Sequence, residues 1–300
     1  MHFAAILLLL LSNAASADYV TFQADNQRTG NLSGTGPHEP NLLWSASPTG
    51  HGIISAAPAI FGERLYVPNW PDMTFKGELG LACLDRADGK RLWINPLGGK
   101  GSASTPALQG DRIFVGSLTG DIYCLDADTG RTVWNKTIET DPKWWGVASS
   151  PLILDAVVYI MSYSDGTLHA LSPEGEELWN LSTGLVSNYV SAAASDRKIY
   201  FPGGDPALYC VDSVSKEVLW KAKVASRITA TPTLWETNVF LVTTESIQAL
   251  DAASGKQLWT AEINGSISSP AASFGRIYVG SDDQQKGHMS CFDATNGSQI

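Results

Sequence analysis

Apolar and polar residues alternate with a period of two over short runs along the whole chain. Six of these runs carry a central aromatic: RLYVPN around Tyr66, RIFVGS around Phe114, VVYIMS around Tyr159, KIYFPG around Tyr200, NVFLVT around Phe240 and RIYVGS around Tyr278. Alternation of this kind, bounded by Gly, Pro, Asn and Asp, predicts half-buried β-strands. No helical period competes with it.

The strands recur in register with a second pattern. Asp251 to Trp259 reads DAASGKQLW, and near-copies run from Asp85 to Trp93, Asp126 to Trp134, Ser172 to Trp179, Asp212 to Trp220 and Asp293 to Ile300. Each predicts a hairpin: an apolar strand ending in Asp, a polar turn, and a strand running into Trp. Gly89, Gly130, Gly175, Gly255 and Gly297 occupy the turn position that wants positive φ, and Lys216 takes it in the fourth copy, where strain is expected. A small-residue strand opens each unit, with Ala57-Pro58, Thr105-Pro106, Ser150-Pro151, Ala192-Ala193, Thr231-Pro232 and Ser269-Pro270 as its signature. The small residues suit a crowded centre. Four antiparallel strands in about forty residues form one propeller blade.

The sequence therefore predicts an all-β propeller of six recognisable four-stranded blades over residues 41–300. Trp44, Trp93, Trp134, Trp179, Trp220 and Trp259 are the expected docking side chains between blades. Burying one indole removes ~150–250 Å² from water, worth ~4–6 kcal/mol gross at ~25 cal/mol per Å². The sixth unit stops at Ile300, one residue before its Trp would come, and the strand carrying Trp44 is expected to close that blade. The alternative is a fragment of a seven- or eight-bladed propeller.

Composition narrows the class. The 44% hydrophobic content of a 300-residue chain can bury a large core, and a net charge of −10 without a basic run argues against nucleic acid as a partner. Residues 1–17, MHFAAILLLLLSNAASA, have the apolar run and small-x-small ending of a signal peptide. No Cys follows it to take a lipid anchor, and no later segment is long enough to span a bilayer. The chain is expected to be exported, to the periplasm, the cell surface or the extracellular space, without a spanning helix in its mature form and as a monomer. Residues 18–40 read as a polar lead-in. Cys83, Cys124, Cys210 and Cys291 all stand two residues before the repeat Asp, where Ala170 and Ala249 stand in other copies. Neighbouring copies of that position would lie ~15 Å apart, whereas a disulfide needs Cα atoms within ~7 Å. The cysteines are read as small packing residues. Asn31, Asn135, Asn180, Asn264 and Asn296 begin N-glycosylation triplets.

The hairpin motif, the Ala/Cys-Leu-Asp before it and the Ser-x-Pro strands resemble the pyrroloquinoline-quinone-type (PQQ-like) β-propeller repeat. Arg28-Thr29-Gly30 ahead of Leu43-Trp44 is similar to the entry segment of exported members. The resemblance spans about residues 22–300 and implies a range of functions, from quinoprotein alcohol and sugar dehydrogenases to the assembly lipoprotein of the outer membrane. The dehydrogenases hold the quinone beside an adjacent Cys-Cys pair with Ca²⁺ on Glu, Asn and Asp, and expect eight blades. No two cysteines are adjacent here.

In a propeller, the loops joining second to third strands and one blade to the next share a face. Asn69, Trp70, Asp72 and Phe75 fall on it, with Lys143, Trp144, Trp145, Asn188, Tyr189, Asp205, Asp282, Asp283 and His288. Aromatics not required by the repeat can stack a sugar or anchor a protein. No catalytic residue and no metal site is predicted. The first reading is a non-catalytic exported binding or scaffold module with a protein or glycan partner and no cofactor. The alternative is a PQQ- or Ca²⁺-dependent quinoprotein oxidoreductase.

Overall fold

The computed structural model describes residues 18–31, 41–48, 52–71, 77–139, 141, 146–184, 190–263, 265–266, 268–282 and 286–300. The signal-peptide reading of residues 1–17 lies outside them. The described strands form six antiparallel sheets, each in simple sequence order; five have four strands and the sixth has three. Blade one, for example, runs Ala59–Phe61, Arg64–Asn69, Gly80–Asp85, Arg91–Asn95, and blade six Ala271–Ser273, Arg276–Asp282, Gly287–Asp293. Gln299 makes a bridge with Phe292 in place of a fourth strand there.

The described residues pack as two units, those within 1–22 and 32–151 and those within 23–31 and 152–300. Blades one and two make up the first, and their opening strands are in contact. Blades three to six make up the second, with consecutive opening strands in contact.

Each of the five four-stranded blades is built around one cross-strand set. The aromatic of strand two faces a small residue on strand three, which faces the Trp of strand four: Tyr66, Cys83 and Trp93; Phe114, Cys124 and Trp134; Tyr159, Ala170 and Trp179; Tyr200, Cys210 and Trp220; Phe240, Ala249 and Trp259. The small residue lets the two rings meet over it, with centroids 5.8–6.0 Å apart and planes tilted, the arrangement that aromatic quadrupoles favour. This is why Cys and Ala interchange at the position. Three of the four free cysteines are buried and Cys291 is partly so; burial pushes the Cys83 thiol up to about 12 and that of Cys210 to about 11.

After the small residue, the pairing of strands three and four slips by one in all five four-stranded blades. The extra residue is Leu92, Val133, Leu178, Leu219 or Leu258, and each is 46–48% exposed. The bulge twists the outer strand and accounts for apolar side chains at solvent on otherwise alternating strands.

The docking tryptophans close on glycine. Trp44 lies over Gly89 and Trp93 over Gly130 in the first unit, and Trp220 over Gly255 and Trp259 over Gly297 in the second, so close that a Cβ on the glycine would come within 2.4–2.6 Å of the indole. The indole N–H of Trp44, Trp220 and Trp259 donates to the backbone carbonyl of Arg86, Ala252 and Ala294. Trp44 thus meets blade one as Trp93, Trp220 and Trp259 meet the blades after their own, although residues 41–47 form no ladder strand. Lys216, in the fourth turn, has φ +65, the strain expected of a side chain in that region.

Opening strands are edge strands, and edges leave N–H groups to be covered. The lead-in covers them. In the first unit Tyr19 exchanges hydrogen bonds with Ile60, and the Val20 carbonyl accepts from Leu108 N–H. In the second, the carbonyls of Asn26, Gln27 and Thr29 accept from Ala194, Leu234 and Ala272 in blades four, five and six. Arg28, fully buried, donates through Nε to the Ala192 carbonyl.

Candidate functional site

The face carrying the loops between second and third strands is only partly described. Asp72, Phe75, Lys143, Trp144, Trp145, Asn188, Tyr189 and Asp283 lie outside the described residues. Asn69, Trp70, Asp205, Asp282 and His288 lie within them.

Asn69 corrects an expectation. It is fully buried, its Nδ2 donates to the Glu78 carbonyl and its Oδ1 accepts from Gly80 N–H, so the carboxamide shapes the loop and is not presented to a partner. Trp70 is half-buried, packs against Ala103, Leu118 and Ala148, and donates from its indole N–H to Ser55 Oγ at 2.8 Å. Its backbone bridges Ile53.

In blade four, Asp205 pairs with Lys221 at 2.7 Å and accepts from the Tyr209 hydroxyl at 3.2 Å. Lys221 stands 4.9 Å above the Tyr209 ring, and Tyr209 stacks on Phe201. Burial raises the Asp205 carboxyl, but the hydrogen bonds from Lys221 and Tyr209 outweigh it and hold the group below the usual carboxylate range. The carboxylate is engaged in a local cluster, and at this exposure the ion pair is worth at most ~1 kcal/mol.

Two grooves open at the blade-five and blade-six end of the second unit. One, about 850 Å³, runs from Lys223 and Val224 past Thr244, Ser246, Gln248, Thr260 and Glu262 to Asp282. The other, about 780 Å³, shares Thr244, Gly265 and Asp282 and continues along Ser266, Ser281, His288 and Met289. Strand pairing brings Ser281 opposite His288 and Asp282 opposite Gly287. Met289 is 75% exposed. Gln248 is buried, donates to Ser246 Oγ and leaves its Oε1 without a partner. Sequence reasoning named Asp282 and His288 but missed Gln248 and Met289. Gln248 sits in an ordinary alternating strand, and nothing local marks it as lining a groove.

Chemically the grooves offer hydroxyls, carboxylates, one ammonium and an exposed thioether, a surface for recognition. Among the described residues no group of three His, Cys, Asp or Glu side chains could hold a metal ion. The cysteines stand singly in separate blades. The described residues therefore do not fit the quinone and Ca²⁺ site that the dehydrogenase resemblance implies. The recurring Asp of the hairpins is a turn residue: Asp85, Asp126, Asp212, Asp251 and Asp293 each accept backbone N–H groups of their own turn.

Comparison with known proteins agrees with this geometry. The outer membrane protein assembly factor BamB of Burkholderia pseudomallei is 25% identical over 277 residues, covering 86% of this chain and 68% of that protein. The crystal structure of BamB from Moraxella catarrhalis superposes with a TM-score of 0.69 at 21% identity, over 87% of this chain and 76% of that one. A europium-containing methanol dehydrogenase shares the fold, with a TM-score of 0.76 at 13% identity over 94% and 77% of the two chains. The fold is a β-propeller. A family model described as outer membrane protein assembly factor BamB matches residues 76–300, and with blades of this construction the chain belongs to that family of PQQ-like propellers.

Proposed function

We propose that the chain is an exported, non-catalytic propeller that binds protein partners during assembly of outer-membrane proteins. The observation that carries this reading is the family match over residues 76–300. Residues 1–17 serve as the export signal in this reading, and the protein works in the periplasm. Recognition is assigned to the loop face, with Trp70, Asp72, Trp144, Trp145, Tyr189, Asp205, Asp282 and Asp283 as its candidate residues. The two grooves support that choice, because they are concave, border Asp282 and His288, and expose Met289.

Deleting the gene should lower the amount of correctly assembled outer-membrane protein, measured in isolated membranes. A Trp70→Ala/Trp144→Ala/Trp145→Ala chain should fold yet restore little of it. Unchanged assembly in the deletion strain would overturn the reading. Purified chain supplied with PQQ and Ca²⁺ should reduce no dye over a panel of alcohols and sugars; cofactor-dependent turnover would make it a quinoprotein oxidoreductase instead.

A further inference from the structure

All six blades join their first and second strands by a two-residue turn, and the first turn residue has positive φ in every one. Such turns favour Gly, Asn and Asp. Blades one and two follow the rule with Gly62 and Gly110. In the second unit the position holds Asp155, Asp196 and Glu236 on blades three, four and five, and Phe274 on blade six. Phe274 departs furthest from what the turn wants. A phenyl side chain sits at φ +49 and is 90% exposed, so it neither relieves the backbone nor joins a core. Ser273 beside it donates to the Asn31 side chain, which anchors the turn from below without covering the ring.

The neighbours of Phe274 set its ligand. Blades three to six are consecutive neighbours through their opening strands, so the acidic tips precede the phenyl along one end of the unit. Three basic residues border these turns: Arg197 is engaged with Asp212, and Lys198 and Arg276 stand opposite the further carboxylates Asp212 and Asp293 in the strand pairing. An exposed aromatic with carboxylates on one side is complementary to a protein surface in which Lys or Arg flanks an apolar pocket. Anionic lipid would be repelled by the same acids.

We infer that Phe274 is the anchor of a second protein-docking surface, which receives a basic protein with an apolar pocket at the end of the blades opposite the loop face. This surface does not rest on the loop-face reading, and either can fail alone.

The test places a photoreactive benzoylphenylalanine at 274 in the full chain, in living cells, and identifies the adduct and its contact peptide by mass spectrometry. The expected result is one protein adduct whose crosslinked peptide carries Lys or Arg beside apolar residues. Binding of that purified protein to Phe274→Gly should weaken at least tenfold while the melting temperature holds or rises, since glycine suits the turn. Asp155→Asn/Asp196→Asn/Glu236→Gln should weaken binding too and flatten its salt dependence. No adduct, an adduct to lipid, an adduct to a second copy of this chain, or unchanged binding by Phe274→Gly would each overturn the inference. A fall in melting temperature for Phe274→Gly would overturn it as well, by making the ring structural.

Discussion

At the scale of single residues, two glycines with the same backbone conformation do different work. Gly130 (φ +70) and Gly62 (φ +56) both occupy the left-handed region, but a Cβ at Gly130 would come 2.4 Å from the Trp93 ring, whereas nothing lies within 4 Å of one at Gly62. Gly62→Ala should cost about 1 kcal/mol, for backbone strain alone. Gly130→Ala adds displacement of the indole and should cost about 3 kcal/mol. Urea unfolding midpoints of the two variants check this; equal losses would show that the indole moves aside freely. The recurrence of Gly was legible in the sequence, and so was its positive φ. The indole that lies on it comes from the preceding blade, at a distance in sequence that no local pattern reveals.

At the scale of the strand, the interchange of Cys and Ala beneath two aromatic rings is a statement about volume. Ala249→Cys should therefore change stability by less than about 1 kcal/mol, while Ala249→Leu should cost about 1–3 kcal/mol by driving Phe240 and Trp259 apart; thermal melts distinguish them. Burial also predicts reactivity. At pH 8 native protein should be alkylated at Cys291 well before Cys83, Cys124 or Cys210, because only the thiolate reacts and burial suppresses it. Rapid labelling of Cys83 in folded protein would contradict the packing described. The same strands carry the bulge that exposes Leu92 and its equivalents. Alternation along the sequence cannot register that single extra residue, which only the pairing of strands three and four reveals.

For the whole molecule, the aromatic layer ties stability to alkaline pH. Burial pushes the hydroxyls of Tyr66 and Tyr159 up to about 12 and that of Tyr200 higher still. A folded-state value raised above the unfolded one means a contribution fully present below about pH 10, lost as pH rises through about 12. Melting temperatures should fall steeply over that window, and Tyr159→Phe should reduce the steepness. On the acid side, hydrogen bonds within the turns hold Asp126, Asp212 and Asp251 low, in Asp126 and Asp251 chiefly from Thr129 and Ser254 side chains and in Asp212 chiefly from the Ser215 backbone. Their contribution is present above the ordinary carboxylate range and lost as pH falls, and at their exposure it is small. The lead-in adds a long-range element. Arg28→Ala would empty a buried site and strip a donor from Ala192, costing about 2–5 kcal/mol in chemical denaturation; a loss under about 1 kcal/mol would show that the strap is dispensable.

Strand pattern, blade count, turn glycines, the turn role of Asp and the packing role of the cysteines follow from the sequence alone, because each depends on residues close in the chain and is repeated often enough to be read. Other features needed the tertiary structure. The Ser and Thr before proline were legible as small, but their hydroxyls accept N–H groups from the adjoining blade or the chain leading to it, Ser150 from Thr105, Thr231 from Ser191 and Ser269 from Thr231. Asn69 looked like a binding residue until its carboxamide closed its own loop on Glu78 and Gly80. Gln248 looked like any strand residue until its unpartnered oxygen lay at a groove between elements. For the serines and threonines the deciding partner lies about forty residues away, and only packing brings the two within hydrogen-bonding distance; for Asn69 it lies across its own loop, and for Gln248 the deciding feature is the groove that packing leaves beside it.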